Sequence, residues 1–304
     1  MRGFFHTPQN KEFPVCIIFH GFTGCNTGTK FSYVQLSRML VTQGIGTIRM
    51  DFLGSGESDL NFSDMTFDDE LSCARIILEE VKKMPSTTKI YVLGHSMGGA
   101  VASELAKLYP NDISKLCLWA PAFNLPSAVE YLKGHVPQAD FYDHNGFQIS
   151  DEFVKDMLSR DFYKGIEIYK NQLMIIHGTN DHTVPFSQSE SLYESLEKNG
   201  CDVTFLALEG ADHADLQFFQ DEVWERMISF FKEKCLNLEK SLKHDNLLDI
   251  DGFDLFSELN ILREIIGLEN DKPIDILNYI KRINSFPNAY ITYRIMLTFL
   301  VLIG

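Results

Sequence analysis

A chain of 304 residues with 45% apolar and 12% aromatic content can bury one large core and leave an appendage outside it. Its formal charge of −15 repels phosphate backbones and anionic bilayers, so neither nucleic acid nor a membrane is an expected partner. The N-terminus MRGFFHTPQN lacks the apolar stretch of a signal peptide, the apolar tail Ile295–Gly304 falls well short of the ~20 residues of a membrane span, and the cysteines form no C-x-x-C pair, which together predict a soluble, cytoplasmic protein with idle thiols.

In chain order, apolar runs occur at Val15–Phe19, Ile45–Met50, Ile90–Gly94, Lys115–Ala120, Leu173–Gly178 and Val203–Leu208. Each is short, rich in β-branched or aromatic residues, and continuous rather than alternating, as strands buried on both faces are. Segments of helical period lie between them at Phe31–Gln43, Phe67–Met84, Met97–Tyr109, Ser187–Lys198 and Leu216–Lys234. The alternation predicts an α/β fold with a doubly wound, mostly parallel sheet.

The interval Pro126–Lys170 breaks this rhythm, being much longer than the other connections. It carries Tyr131, Phe141, Tyr142, Phe147, Phe153, Phe162, Tyr163 and Tyr169, too many rings for a solvated loop, and predicts a cap inserted at about residues 125–170. Its place is over the C-terminal edge of the sheet, where ligands of open parallel sheets gather. Residues 1–235 thus form the main domain. Residues 236–304 show helical apolar spacing without a strand or a catalytic cluster and predict a helical extension.

Chemistry concentrates in GHSMG, Gly94–Gly98, which follows a strand and precedes a helix. A G-x-S-x-G turn in that context lifts the Ser96 hydroxyl above the sheet, and the N-terminal N–H groups of the helix face developing negative charge. A serine hydroxyl is a weak nucleophile at neutral pH, so it needs a general base and a group to orient that base. His213, in EGADHADL, and Asp181, in HGTNDHTVP, both follow strands and so share the edge of Ser96. His20, His95, His177 and His182 lie near the same edge and are alternative bases. Asp212 and Asp215 compete with Asp181, although sequence neighbours of the base are badly placed to bond its Nδ1.

Acyl transfer also needs donors for the oxyanion, and backbone N–H groups supply them without reorganisation. The N–H of Met97, directly after the nucleophile, and the N–H of Phe22, in HGFTG, are the expected pair. DFLGSGES, Asp51–Ser58, lacks the G-K-[ST] of a phosphate loop and carries acidic residues, so it reads as a structural turn. No H-E-x-x-H or regular ligand spacing points to a metal, and no cofactor is expected.

IIFHGFTG, DFLGSGES, GHSMGG, HGTNDHTVP and GADH, in this order and spacing, resemble the α/β-hydrolase superfamily, and within it the cinnamoyl/feruloyl esterases. The resemblance implies a serine carboxylesterase with Ser96, Asp181 and His213 as triad and Phe22 and Met97 as oxyanion hole. It further implies a small-molecule ester as partner, with short or aromatic acyl groups bound partly by the cap, whose Asp140, Asp143, His144, Gln148 and Asp151 offer polar contacts to a phenolic hydroxyl. A monoacylglycerol lipase, thioesterase or serine peptidase would use the same residues, and a silent hydrolase fold would serve as an interaction module. Such enzymes carry a strand or hairpin before the segment matching RGFFHTP, which leaves open whether the first edge strand is present here. The tail INSFPNAYITYRIMLTFLVLIG resembles the C-terminal dimerisation segment of hAT-family transposases, through Phe286-Pro287-Asn288 and Tyr293–Thr298, and departs from it at Phe299. That resemblance implies a transposon remnant without the transposase's catalytic acids, and a surface for oligomerisation; an unrelated helical extension is the plain alternative.

Overall fold

Successive side chains of a pleated strand point to opposite faces, so a run that is apolar throughout must be covered on both sides. The computed structural model, which describes residues 1–126, 137–138, 141–213 and 220–232, builds this arrangement within the compact unit Met1–Lys232. The tail 236–304, with its helical and oligomerisation expectations, lies outside the described residues, as do Tyr131, Asp140 and Asp215.

Among the described residues ten strands occur in chain order: β1 (Gly3–His6), β2 (Phe13–Phe19), β3 (Gly46–Met50), β4 (Thr87–His95), β5 (Lys115–Trp119), β6 (Pro137–Gln138), β7 (Phe141–His144), β8 (Phe147–Ser150), β9 (Gln172–Gly178) and β10 (Val203–Leu208). The helices are α1 (Ser32–Thr42), α2 (Phe67–Lys83), α3 (Met97–Leu108), α4 (Asp151–Leu158), α5 (Ser187–Lys198) and α6 (Gln220–Phe231). Seven strands join in the order β1-β3-β2-β4-β5-β9-β10, all parallel except β1. RGFFHTP supplies β1, which pairs antiparallel with β3. The fold is the doubly wound α/β-hydrolase sheet.

Val15, Ile17 and Phe19 of β2 join one apolar cluster with α2, α3 and α5, whereas Cys16 and Ile18 join a second with Leu36 and Leu40 of α1 and Trp224 and Met227 of α6. β4, β5 and β9 divide in the same way, and each fully buried Leu, Ile or Phe contributes about 1.5–3 kcal/mol. Some boundaries move for local reasons. α1 begins at Ser32 and not at Phe31, because Lys30 and Phe31 take left-handed backbone (φ 53° and 61°). α2 is opened by a capping box in which Thr66 and Asp69 bond each other's backbone N–H.

The cap is a small antiparallel sheet, β6-β7-β8, followed by α4. Asn145-Gly146 joins β7 to β8 with both residues at positive φ (53° and 88°), the two-residue turn that matches strand twist. Arg160 fastens the cap to α2 by pairing with Asp156 and Asp68 while its guanidinium lies 4.6 Å from the Phe67 ring centroid. Phe162 and Tyr169 are fully buried in the apolar cluster of the main sheet, Phe162 against Phe67 at 5.0 Å. Asp151 is likewise engaged, paired with Lys155 at 2.6 Å, and Asp143 caps the hairpin turn through the Gly146 N–H at 3.4 Å.

Because the strands are parallel, β2, β4, β9 and β10 end at one edge. There, buried Asp51 accepts the Asn26 N–H (2.6 Å), the Asn26 side-chain amide (2.8 Å) and the Glu57 N–H (3.0 Å), tying the loop after β2 to the DFLGSGES turn. Asp51→Ala leaves these donors enclosed without an acceptor and should cost about 3 kcal/mol, given the penalty of an unmade buried hydrogen bond. Urea unfolding of the purified variant checks this, and an unchanged midpoint contradicts it.

Candidate active site

At the end of β4 the chain reverses into α3 within a few atoms of its neighbours. A Cβ on Gly94 would stand 2.1 Å from the Gly98 carbonyl oxygen, and one on Gly98 would stand 2.4 Å from the carbonyl oxygen of His20, so only hydrogen fits at either place. Between them Ser96 is held at φ 57°, ψ −123°, a strained backbone for a residue with a side chain. Three backbone bonds fix it: its N–H donates to the Trp119 carbonyl (2.9 Å), and its carbonyl accepts from Gly99 (2.9 Å) and Ala122 (3.0 Å). The hydroxyl stands half-buried at the top of the turn.

The loop after β2 closes on this turn. A Cβ on Gly21 would lie 2.8 Å from Ser96 Cβ, which brings the backbone of His20-Gly21-Phe22 beside the serine. His20 braces the loop: its Nε2 accepts the Phe52 N–H (3.1 Å), so its Nδ1–H donates to the Gly21 carbonyl (2.9 Å). Burial lowers its pKa and favours this neutral form. The N–H groups of Phe22 and Met97 donate to no protein acceptor among the described residues. Met97 directly follows Ser96, and Phe22 directly follows Gly21, where a Cβ would lie beside the serine.

The loops after β9 and β10 are laced together, Thr179 N–H to the Leu208 carbonyl (2.9 Å) and Asn180 N–H to the Ala211 carbonyl (3.0 Å). This brings Asp181 to His213, whose Nδ1–H donates to Asp181 Oδ2 at 2.7 Å. Asp181 Oδ1 accepts the N–H of Thr183 (2.9 Å) and of Val184 (2.7 Å), and Oδ2 also accepts His177 Nε2–H (3.1 Å). Burial by itself would disfavour the charge, but the hydrogen bonds from His177, His213 and Val184 outweigh it and hold the carboxyl well below the ordinary range. Ser96 Oγ makes no hydrogen bond among the described residues; serine–imidazole bonds of this kind commonly tighten only around substrate.

The competing groups have other duties. His95 is half-buried, with Nδ1 2.9 Å from the Tyr33 hydroxyl and its ring stacked on His213 at 5.0 Å, and desolvation together with the neighbouring His213 pushes its pKa well below the imidazole range. His177 is enclosed behind Asp181, His182 exposes its side chain, and Asp212 accepts the N–H of His182 (2.9 Å) and of His213 (2.7 Å) instead of the imidazole. Sequence reasoning missed the bracing by His20 and His177. It also missed an aromatic cluster spanning loop and cap, in which Phe22 meets Phe62 (5.3 Å), Phe153 (5.3 Å) and His144 (5.7 Å). Among the described residues no group of three or more His, Cys, Asp or Glu is arranged to hold a metal ion, and no helix is long and apolar enough to cross a membrane.

The family model Hydrolase_4, described as Serine aminopeptidase, S33, matches residues 10–161, half of the chain. The structure is similar to that of Est1E from Butyrivibrio proteoclasticus, solved with ferulic acid bound, with a TM-score of 0.67 and 25% identity over 76% of this chain and 96% of that one. In sequence the chain is 28% identical over 196 residues to the lysophosphatidylserine lipase ABHD12 of Xenopus tropicalis, covering 60% of this chain and 47% of that protein. It is 31% identical over 111 residues to protein phosphatase methylesterase 1 of Candida albicans, covering 36% and 29% respectively. The chain thus spans less than half the length of these curated relatives.

The depressed pKa of Asp181 has a stability consequence of definite sign. A carboxyl whose folded pKa lies below its unfolded value of ~3.9 adds stability above that pH and loses it as pH falls toward the folded value. Asp181→Asn should therefore cost stability at pH 7 and progressively less below ~pH 4, compared by urea unfolding of the two proteins across that range. A difference that stays constant with pH contradicts the assignment.

Proposed function

The chain belongs to the Hydrolase_4 family of α/β-hydrolases, Serine aminopeptidase, S33, and from that premise we propose that it is a serine carboxylesterase working through an acyl-enzyme on Ser96. The observation that carries the proposal is the 2.7 Å bond from His213 Nδ1 to Asp181 Oδ2, at the sheet edge where Ser96 stands in its strained turn. With Nδ1–H committed to the carboxylate, Nε2 of neutral His213 is the lone pair that takes the Ser96 proton as Oγ attacks the ester carbonyl. Asp181 stabilises the imidazolium so formed. The Phe22 and Met97 N–H groups receive the oxyanion, His213 returns the proton to the leaving alcohol, and water then repeats the sequence to free the acid.

For substrate we favour short or aromatic acyl esters. The Phe22, Phe62, His144 and Phe153 rings gather where the loop after β2 meets the cap, and Phe147, 39% exposed, lies tilted against Phe62 at 4.8 Å. Planar acyl groups stack well on such surfaces. The likeness to Est1E, solved with ferulic acid bound, supports the same choice. A lipase reading has its own support in the similarity to a lysophosphatidylserine lipase and in Leu60 and Phe31, which expose apolar side chains in the loops after β3 and β2.

Ser96→Ala should stay folded and lose on the order of 10³-fold or more in turnover of p-nitrophenyl butyrate, since members of a triad act as a unit. In the unsubstituted protein kcat/KM is expected to be higher for ethyl ferulate than for a monoacylglycerol or an aminoacyl p-nitroanilide. Preference for the glyceride moves the reading to a lipase, preference for the anilide to a peptidase, and full activity of Ser96→Ala removes the acyl-enzyme altogether.

A further inference from the structure

His177, the next-to-last residue of β9, is fully buried on the far side of Asp181 from His213. Its Nε2 lies 3.1 Å from Asp181 Oδ2 and 2.9 Å from the Val184 carbonyl oxygen. Both of these atoms only accept, so Nε2 carries a hydrogen. In the neutral ring, Nδ1 is then the lone pair that accepts the hydroxyl of Ser189, a buried residue of α5, at 2.6 Å. The Phe186 ring stands edge-on to the imidazole at 5.7 Å. Bonds at both ends and a ring on the flank leave His177 one orientation.

We propose that His177 is a positioning residue for the reaction, locking Asp181 so that Oδ2 is always the oxygen offered to His213. The inference rests on the triad reading above. A carboxylate rotating about its Cβ–Cγ bond exchanges its two oxygens. Here Oδ1 is held by the N–H groups of Thr183 and Val184, and Oδ2 by His177 and His213 together. Without His177, Oδ2 keeps His213 as its one remaining donor, which is the partner whose orientation the carboxylate must control. The carboxylate would then be fixed only at Oδ1; Oδ2 and the imidazole could turn about that anchor, and Nε2 of His213 would lose its aim at Ser96. Ser189 acts one step further out, since its hydroxyl holds the ring that holds the carboxylate. Second-neighbour bonds of this sort orient catalytic groups without touching substrate.

The test uses the full chain and p-nitrophenyl butyrate. His177→Phe keeps the ring volume and removes the donor, and should lower kcat about ten- to a hundredfold with KM unchanged, the worth of one hydrogen bond to a charged group. The downfield proton resonance of His213 Nδ1–H should broaden or move. His177→Gln sets an amide nitrogen where Nε2 stood and should recover most of kcat, whereas His177→Asn is too short to reach Oδ2 and should not. If the Phe variant does not fold, the Gln and Asn pair decides. Wild-type kcat in His177→Phe or His177→Asn, or equal losses in Gln and Asn at matched thermal midpoints, overturns the positioning role. Ser96→Ala is measured alongside: an active Ser96→Ala refutes the triad reading, while an inactive one beside a fully active His177→Asn refutes the positioning role alone.

Discussion

The structure depends on one close approach, between the turn that ends β4 and the backbone on either side of it. Gly94 and Gly98 leave room for hydrogen only, and the space so gained lets the chain reverse sharply enough to hold Ser96 in a conformation that costs on the order of 1–3 kcal/mol. That strain persists because bonds to Trp119, Gly99 and Ala122 hold the serine backbone on both sides. β5 is therefore part of the site, although none of its side chains need touch substrate.

Support for the strain comes from the sheet. Apolar side chains on both faces of β2, β4, β5 and β9 make two clusters whose combined burial far exceeds the cost of one bad dihedral. Parallel strands also send all their C-terminal ends the same way, so residues far apart in sequence meet without any local signal. The loop after β2 reaches Ser96 through Gly21, and the laced loops after β9 and β10 carry Asp181 and His213. The cap adds a third element, docked on α2 through Arg160 and touching the loop after β2 through Phe22.

Histidines near the site are used in three physically different ways. His20 bonds through both nitrogens to backbone and serves as a strut, and His95 is desolvated and stacked on His213. His213 alone, among those near the serine, combines a carboxylate on Nδ1 with partial exposure. Asp181 is the convergence point, with N–H donors on both oxygens, and this keeps a buried carboxyl ionised where burial alone would have neutralised it.

The sequence by itself determined the layered sheet, because continuous β-branched runs separated by helical periods have few other ways to hide both faces. It also determined the strained turn at Ser96, since strand, glycine, serine, glycine and helix constitute a local steric requirement, and it placed Asp181 and His213 at the same edge, since residues just past parallel strands can lie nowhere else. Tertiary structure alone decided the rest. Val15–Phe19 and its neighbours carry no mark of their order in the sheet, and RGFFHTP carries none of its pairing, because edge pairing is chosen by the partner strand. The division of the cap's rings into those buried in the main core (Phe153, Phe162, Tyr169) and those left partly or fully exposed (His144, Phe147) depends on which surface each one reaches. So does the distinction among His20, His95, His177 and His213, which are identical in composition and similar in sequence setting. A histidine's role is set by what lies against its two nitrogens, and those neighbours come from remote parts of the chain.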